Sequence, residues 1–319
     1  LAKEIDAREV WFGRILGHPL NPRSPKKMQE LFYHDLNQKP VINRKTSEVT
    51  CNEEALEKVA AREPILRPLV RRITEHRSLG VFSSTFVGAR LGRDGRLRCS
   101  YNIAGTSTYR LSSSTDAFDS GLNLQNIPKG GEGDEGLELP NVRTLFIPDP
   151  GYTFFEGDLS KADAHVVIWE ANDEELKSLL REGYDLHAEN AKLLGCDYAM
   201  AKRWVHGTNY GGGPRTMAIN CGLTVHQAER MQTRWFQAHP GIARWHIRVA
   251  NQLRTQRYVE NRFGFRRYFF DRLDSILPEA LAFGPQSCVA HYINRIWREV
   301  YLRLPDVQIL LQVHDSLAG

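Results

Sequence analysis

The chain has 319 residues, 41% hydrophobic and 25% charged, with a formal net charge of +4. That length allows two or three compact units of roughly 100–200 residues with real cores, and no apolar run of about 18 residues is present to cross a membrane. Five scattered cysteines (Cys51, Cys99, Cys196, Cys221 and Cys288) form no Cys-x-x-Cys pair, which argues against a disulfide framework or zinc ribbon and for a reducing compartment.

Residues 1–16 predict a helix, with Ile5, Val10, Trp11 and Leu16 roughly on one face. Ser24-Pro25 starts a second helix, to about Leu36, because a capping hydroxyl precedes a residue already set for the first turn. Thr50 and Glu53 form a capping box for a third helix through about Ala61, and a fourth covers Leu66–His76. From about Val81 to Arg110 the texture becomes strand-like, with Gly92-Arg93-Asp94-Gly95 as a turn. The glycine- and acid-rich stretch 129–139 predicts a flexible surface loop. Pro148, Pro150 and Gly151 mark a turn before a strand at Tyr152–Leu159. Residues 161–237 read as mostly helical, with Thr224 and Gln227 capping one helix. A long helix is expected over 276–302 and a strand over 307–315, and no internal repeat is visible. No basic-then-apolar leader follows Leu1, so no secretory signal is expected in these residues.

Charge is unevenly spread. Residues 61–110 hold ten arginines against three acids, and residues 238–272 hold eight against Glu260 and Asp271. Trp245, Tyr258, Phe263, Phe265 and Tyr268 interleave the second stretch. Arginine beside aromatics suits phosphate contact and base stacking, and it equally suits a solvated basic face over a core.

Four segments carry chemistry. Phe154-Phe155-Glu156-Gly157-Asp158 and Leu310-Leu311-Gln312-Val313-His314-Asp315 are apolar strands that each end in a carboxylate. Brought together, two such aspartates would hold hard divalent cations, and two ions about 3.5–4 Å apart would stabilise a phosphoryl displacement; alone, each is an ordinary strand-end cap. Lys202, His206 and Tyr210 are four apart and share a helix face that Gly211-Gly212-Gly213-Pro214 ends. That face could meet a triphosphate and a base, or be a plain amphipathic stripe. The polar run Thr106-Ser107-Thr108-Tyr109-Arg110-Leu111-Ser112-Ser113-Ser114 and the run Asn123-Leu124-Gln125-Asn126-Ile127-Pro128 offer groups for phosphates and minor-groove acceptors.

In this order and spacing the segments resemble the family A DNA polymerases, the bacterial DNA polymerase I type and its phage relatives. The resemblance rests on Thr106–Pro128; on Asp158, Ser160 and Asp163; on Asp185-Leu186-His187; and on Lys202 with Tyr210-Gly211. It continues through Gly264-Phe265-Arg266-Arg267-Tyr268, Gly284-Pro285-Gln286 and Val313-His314-Asp315, and reaches back to Asn21–Lys27. It implies an α+β right-hand fold with a partial helical thumb at 1–95, a first part of an antiparallel-sheet palm at 96–165, helical fingers at 166–274 and the rest of the palm at 275–319.

The implied activity is template-directed DNA synthesis from deoxynucleoside triphosphates (dNTPs) on primer–template DNA. Asp158 and Asp315 would be catalytic and, with the Leu159 carbonyl, would hold two Mg²⁺ ions, with Mn²⁺ as a substitute. Lys202, His187, Asp163, His206, Tyr210 and Leu159 would bind the dNTP. Arg110, Gln286, His314, Asn123, Gln125, Arg266 and Arg267 would bind DNA. A monomer in the cytoplasm of a bacterium or a phage-infected host is implied, with no membrane partner.

The sequence departs from the family at four places. Tyr198 stands where an arginine is usual, Asp163 where the acid that screens the sugar 2′ position is usually Glu, His206 where Phe or Tyr is usual, and Ser316 where Glu is common. The chain also ends at Gly319, so Asp315 is expected to stand on an edge strand without its hairpin partner; the thumb, too, is expected to lack its start. Two other readings remain: an impaired nucleic-acid-binding fragment, and a relative of single-subunit RNA polymerases. A phosphatase or nuclease would need a richer His/Asp cluster.

Overall fold

Helix signals dominate the first hundred residues, and helices form there. The computed structural model describes residues 1–43, 46–116, 121–128, 130–132 and 137–319. Two units emerge: Leu1–Ser100 with Ser114–Pro150, and Tyr101–Ser113 with Gly151–Gly319.

In the first unit, α1 (Ala2–Leu16) ends on Gly17 in the left-handed conformation. Helix α2 (Pro25–Gln29) starts as expected, with the Ser24 hydroxyl accepting the Lys27 N–H, and runs on as a π-helical segment over Glu30–Asp35. For α3 (Glu53–Arg62) the expected cap is corrected. Asn52, not Thr50, caps it: the Asn52 carboxamide accepts the Ala55 N–H at 2.9 Å, while the Thr50 hydroxyl accepts the N–H of Asn52 itself at 3.2 Å. Helix α4 (Arg67–Val81) outruns its expected end and continues as a π-helical segment through Val87, where a strand-like texture was expected. Phe82 and Phe86, four apart, bring their rings to 6.1 Å, so helical pairing overrides β propensity. The turn at Gly92–Gly95 closes with a 2.9 Å hydrogen bond.

Phe12, Met28, Phe32, Leu56 and Ile73 fill this unit's core. Beside them Glu75, its side chain 4% exposed, pairs with Arg8, Arg71 and Arg72 at 2.9–3.0 Å. Arg77 donates to the carbonyls of Pro22 and Cys51, Arg98 pairs with Asp94, and Arg96 pairs with Asp149. Much of the basic stretch 61–110 therefore holds the unit together.

Strands β1 (Ser100–Asn102) and β2 (Ser112–Ser114) pair as a ribbon around residues 103–111. The expected loop 129–139 lies partly outside the described residues; within it β3 (Gly131–Glu132) pairs with β4 (Glu138–Leu139).

The second unit opens on β5 (Glu156–Asp158), which is shorter than the strand expected over Tyr152–Leu159. Helices α5 (Ala162–Ala171), α6 (Glu174–Arg181), α7 (Leu186–Leu194), α8 (Tyr198–Asn209), α9 (Pro214–Cys221), α10 (Val225–Ala238) and α11 (Pro240–Gln256) follow. The predicted capping box of α10 is present, with Thr224 and Gln227 bonding reciprocally. A hairpin, β6 (Tyr258–Glu260) and β7 (Arg266–Tyr268), leads to the long helix α12 (Leu273–Arg303). Val167, Ile168, Ile242, Trp245, Leu253 and Phe283 form one core; Trp204, Met217, Ala228 and Trp235 form another under α7–α10.

The chain closes on β8 (Leu311–Val313) and β9 (Ser316–Ala318). The expectation of an unpartnered strand is corrected here. Strand β9 pairs antiparallel with both β8 and β5, in the sheet order β5-β9-β8. Three residues suffice because β9 lies between two partners. Cys51, Cys196, Cys221 and Cys288 are free thiols, and no helix among the described residues is long and apolar enough to cross a membrane.

Candidate active site

The three-stranded sheet brings the two aspartates together. Asp158 ends β5 opposite Ser316, and Asp315 lies in the two-residue turn between β8 and β9. The Leu159 N–H donates to the Asp315 carbonyl at 3.0 Å, which fixes the two strand ends side by side. The turn is locked by groups that sequence reasoning missed. Gln312, 1% exposed, donates through its amide to the His314 carbonyl at 2.6 Å, and Ser316 donates to the Val313 carbonyl at 3.0 Å. The Tyr101 hydroxyl bonds both backbone groups of Gln312 at 2.9 Å. The available signal was a glutamine inside an apolar strand. His314 is exposed in a left-handed conformation at the tip.

Asp158 is exposed and Asp315 half-buried, and neither carboxylate has a hydrogen-bond or ion-pair partner among the described residues. No cluster of three or more His, Cys, Asp and Glu suited to a metal occurs among those residues. What the site offers a cation is therefore two unneutralised carboxylates and main-chain oxygen, the Leu159 carbonyl already accepting a long 3.3 Å bond from Ala162. An all-oxygen set suits a hard ion such as Mg²⁺.

Lys161, left-handed, caps α5 directly after this turn, and Asp163 sits in the helix's first turn. Asp163 accepts from the Arg110 guanidinium at 3.1 and 3.2 Å, both side chains being less than a quarter exposed. Arg110 is held there by its neighbours. Thr106 donates to its carbonyl at 2.7 Å, and Tyr109, at φ 59°, packs its ring on Phe265, Phe283 and His291. The pairing of Arg110 with Asp163 has no signature in the sequence, where 53 residues separate them.

On α8, Lys202, His206 and Tyr210 form the predicted stripe. The His206 and Tyr210 rings meet edge to face at 4.5 Å, and Gly211, at φ 79°, then turns the chain away. The Tyr210 hydroxyl is buried without a regular hydrogen bond. Burial first, and then the nearby Asp163 charge, push its pKa up, so it stays a neutral phenol. Desolvation pushes His206 down; Asp163 opposes that shift, while Arg110 and Lys202 add to it.

His187 lies in the first turn of α7, whose N-cap is Asp185, accepting the N–H groups of His187 and Ala188 at 2.9 and 3.3 Å. Asp185 also accepts from Lys161 at 3.0 Å and from the Tyr198 hydroxyl at 3.3 Å. Its carboxyl is held down at about 2, chiefly by Lys161. His187 meets Tyr198 ring to ring at 5.6 Å, and desolvation, then Lys161, lower its pKa.

The remaining predicted residues fall elsewhere. Gln286 is half-buried on α12 without a partner among the described residues. Arg266 pairs with Glu260 and lies over Tyr258, and Arg267 pairs with Glu279 and lies over Phe269. Asn123 and Gln125 belong to the other unit: Asn123 accepts the Gln125 N–H to cap a short 3₁₀ turn, and the Gln125 side chain is buried.

Comparison with known proteins places the chain in a family. The sequence model of DNA polymerase family A matches residues 1–318, and the chain belongs to that family. It is 32% identical to the thermostable DNA polymerase I of Thermus filiformis and 29% identical to that of Thermus aquaticus, in each case over 99% of the chain. The chain spans 39% of the length of both relatives. The fold matches a solved structure, the POL domain of Pol1 from M. smegmatis in complex with DNA primer-template and dNTP. That match has a TM-score of 0.83 at 23% identity, over 99% of this chain and 57% of that one. The α+β polymerase fold expected from the sequence is therefore present.

Proposed function

We propose that this chain carries the polymerising centre of a DNA-directed DNA polymerase, extending a primer on a DNA template with dNTPs. The observation that carries the reading is the β5-β9-β8 register, which sets Asp158 and Asp315 side by side with no group among the described residues neutralising either. These carboxylates, with the Leu159 carbonyl, would hold Mg²⁺, or Mn²⁺ in its place; family A polymerases generally depend on divalent metal ions. Bound there, the ions supply charge stabilisation at the oxygens of the transferring phosphoryl group.

The chain's own residues do the rest. Lys202 neutralises the triphosphate, and His187, kept neutral by burial, lies beside it. Asp163, clamped by Arg110, faces the sugar. Tyr210 and His206 present an edge-to-face aromatic pair to the nascent base pair. Arg110 and Gln286 read the minor groove, and His314 lies near the primer end. Asn123, Gln125, Arg266 and Arg267 are the remaining DNA contacts, the last two by exchanging acidic partners for phosphate.

In this reading residues 1–95 are thumb, 96–165 and 275–319 palm, and 166–274 fingers. The enzyme is proposed to act as a monomer in the cytoplasm.

Primer extension with dNTPs and Mg²⁺, alongside Asp158→Ala, tests the proposal. Extension that falls about 10²–10³-fold or more in the variant is expected. DNA binding without extension by the unaltered chain would overturn it in favour of a binding fragment.

A further inference from the structure

The first turn of α5 brings a second ammonium group to the nucleotide face. Lys161 follows Leu159 by two residues, and its left-handed backbone swings the side chain out of the helix line and onto Asp185 at 3.0 Å. Asp185 is the N-cap of α7, and its second oxygen takes the Tyr198 hydroxyl at 3.3 Å. Tyr198 is the first residue of α8 and stands one turn before Lys202, on the stripe that continues to His206 and Tyr210. One carboxylate thus ties Lys161 to the head of the stripe. The Lys161 side chain is 26% exposed, and Asp185 is its sole protein partner among the described residues. An ammonium has three donors, so two remain for a ligand. The Asp185 side chain is 46% exposed, and solvent-screened pairs of this kind are weak enough to be shared with a phosphate. The charge at Lys161 also reaches His187, which supports the same convergence.

We propose that Lys161 is a second phosphate-binding cation of the nucleotide site, positioned by Asp185, gripping the part of the triphosphate that leaves as pyrophosphate. A triphosphate carries several negative charges, and Lys202 is the stripe's single fixed cation, since position 198 holds an uncharged tyrosine. Lys161 supplies the missing charge, and Asp185 fixes where it stands.

The inference rests on the polymerase reading, and the experiment separates the two. Primer extension is titrated with dNTP and with inorganic pyrophosphate as inhibitor. Direct binding of dNTP to the chain with primer–template DNA is measured in parallel, for the unaltered protein, Lys161→Gln, Lys161→Arg and Asp185→Asn. A charged phosphate contact is worth about 1.5 kcal/mol or more, about tenfold in affinity.

Lys161→Gln should therefore raise the KM for dNTP and the inhibition constant of pyrophosphate about tenfold each, with DNA affinity unchanged. Lys161→Arg should stay near the starting values, and Asp185→Asn should shift the same two constants in the same direction by less. A Lys161→Gln protein that melts normally with both constants unmoved would overturn the inference. Should the unaltered chain bind dNTP but fail to extend, the polymerase reading fails alone, and a tenfold loss of dNTP binding in Lys161→Gln still upholds the phosphate contact.

Discussion

Asp163 is one methylene shorter than the acid usual at its place, and the structure shows what holds it. The Arg110 guanidinium reaches both of its oxygens, while the buried Tyr210 hydroxyl lies beside it. In the proposed site, a short acid pulled toward Arg110 would leave more room at the sugar. Asp163→Glu is therefore expected to lower ribonucleotide use by about tenfold, the usual worth of one methylene in a pocket. The ratio of kcat/KM for an rNTP to that for the matching dNTP measures this, and an unchanged ratio would remove the argument. The aspartate and the arginine were each legible as site residues, but their pairing was not, because a salt bridge across 53 residues exists only after folding.

At the scale of elements, the caps decide where helices start. Asn52→Ala should destabilise the protein by about 1 kcal/mol, and Thr50→Ala by clearly less, in urea melts read by circular dichroism. The reverse order would restore the capping box that the sequence suggested. The α1–α4 contact gives a larger effect. Glu75→Ala removes the buried partner of Arg8, 6% exposed, and leaves that guanidinium to Glu4 alone; it is expected to cost about 1.5–3 kcal/mol. The same carboxylate has a pH signature. Burial alone would raise its pKa, but the hydrogen bond and charge of Arg8, with Arg71 and Arg72, more than offset that and hold it low. Its contribution is present above the ordinary carboxylate range and is lost as pH falls through the depressed native value. A first unit as stable at pH 3 as at pH 7 would contradict the pairing.

Over the molecule as a whole, histidines set a second acid limit. His187, His239, His246 and His291 are buried or half-buried, and desolvation pushes each below the ordinary 6.5. The unfolded chain then takes up protons that the folded chain refuses. The corresponding stability is complete above about pH 6.5 and drains away as pH falls below it. The melting temperature should accordingly drop between pH 7.5 and 5.5, before the carboxylates titrate. A flat profile over that interval would mean that these rings protonate freely in the folded state.

The sequence by itself determined the helices, since periodicity, Ser24 and Thr224 are local signals that act within a turn or two. It also supplied the candidate site residues, because Asp158, Asp315, Lys202 and Tyr210 each sit at a strand end or on a helix stripe that the pattern shows. Strands were overextended, since strand length is fixed by the partners available and not by propensity. Tertiary structure alone decided that three residues, Ser316–Ala318, complete a sheet between two neighbours and so bring the aspartates together. It also decided that much of the basic stretch 61–110 serves internal pairs, and that Asp185 draws Lys161 to Tyr198. Each of these depends on groups distant in the chain, and only the closed fold sets their distances.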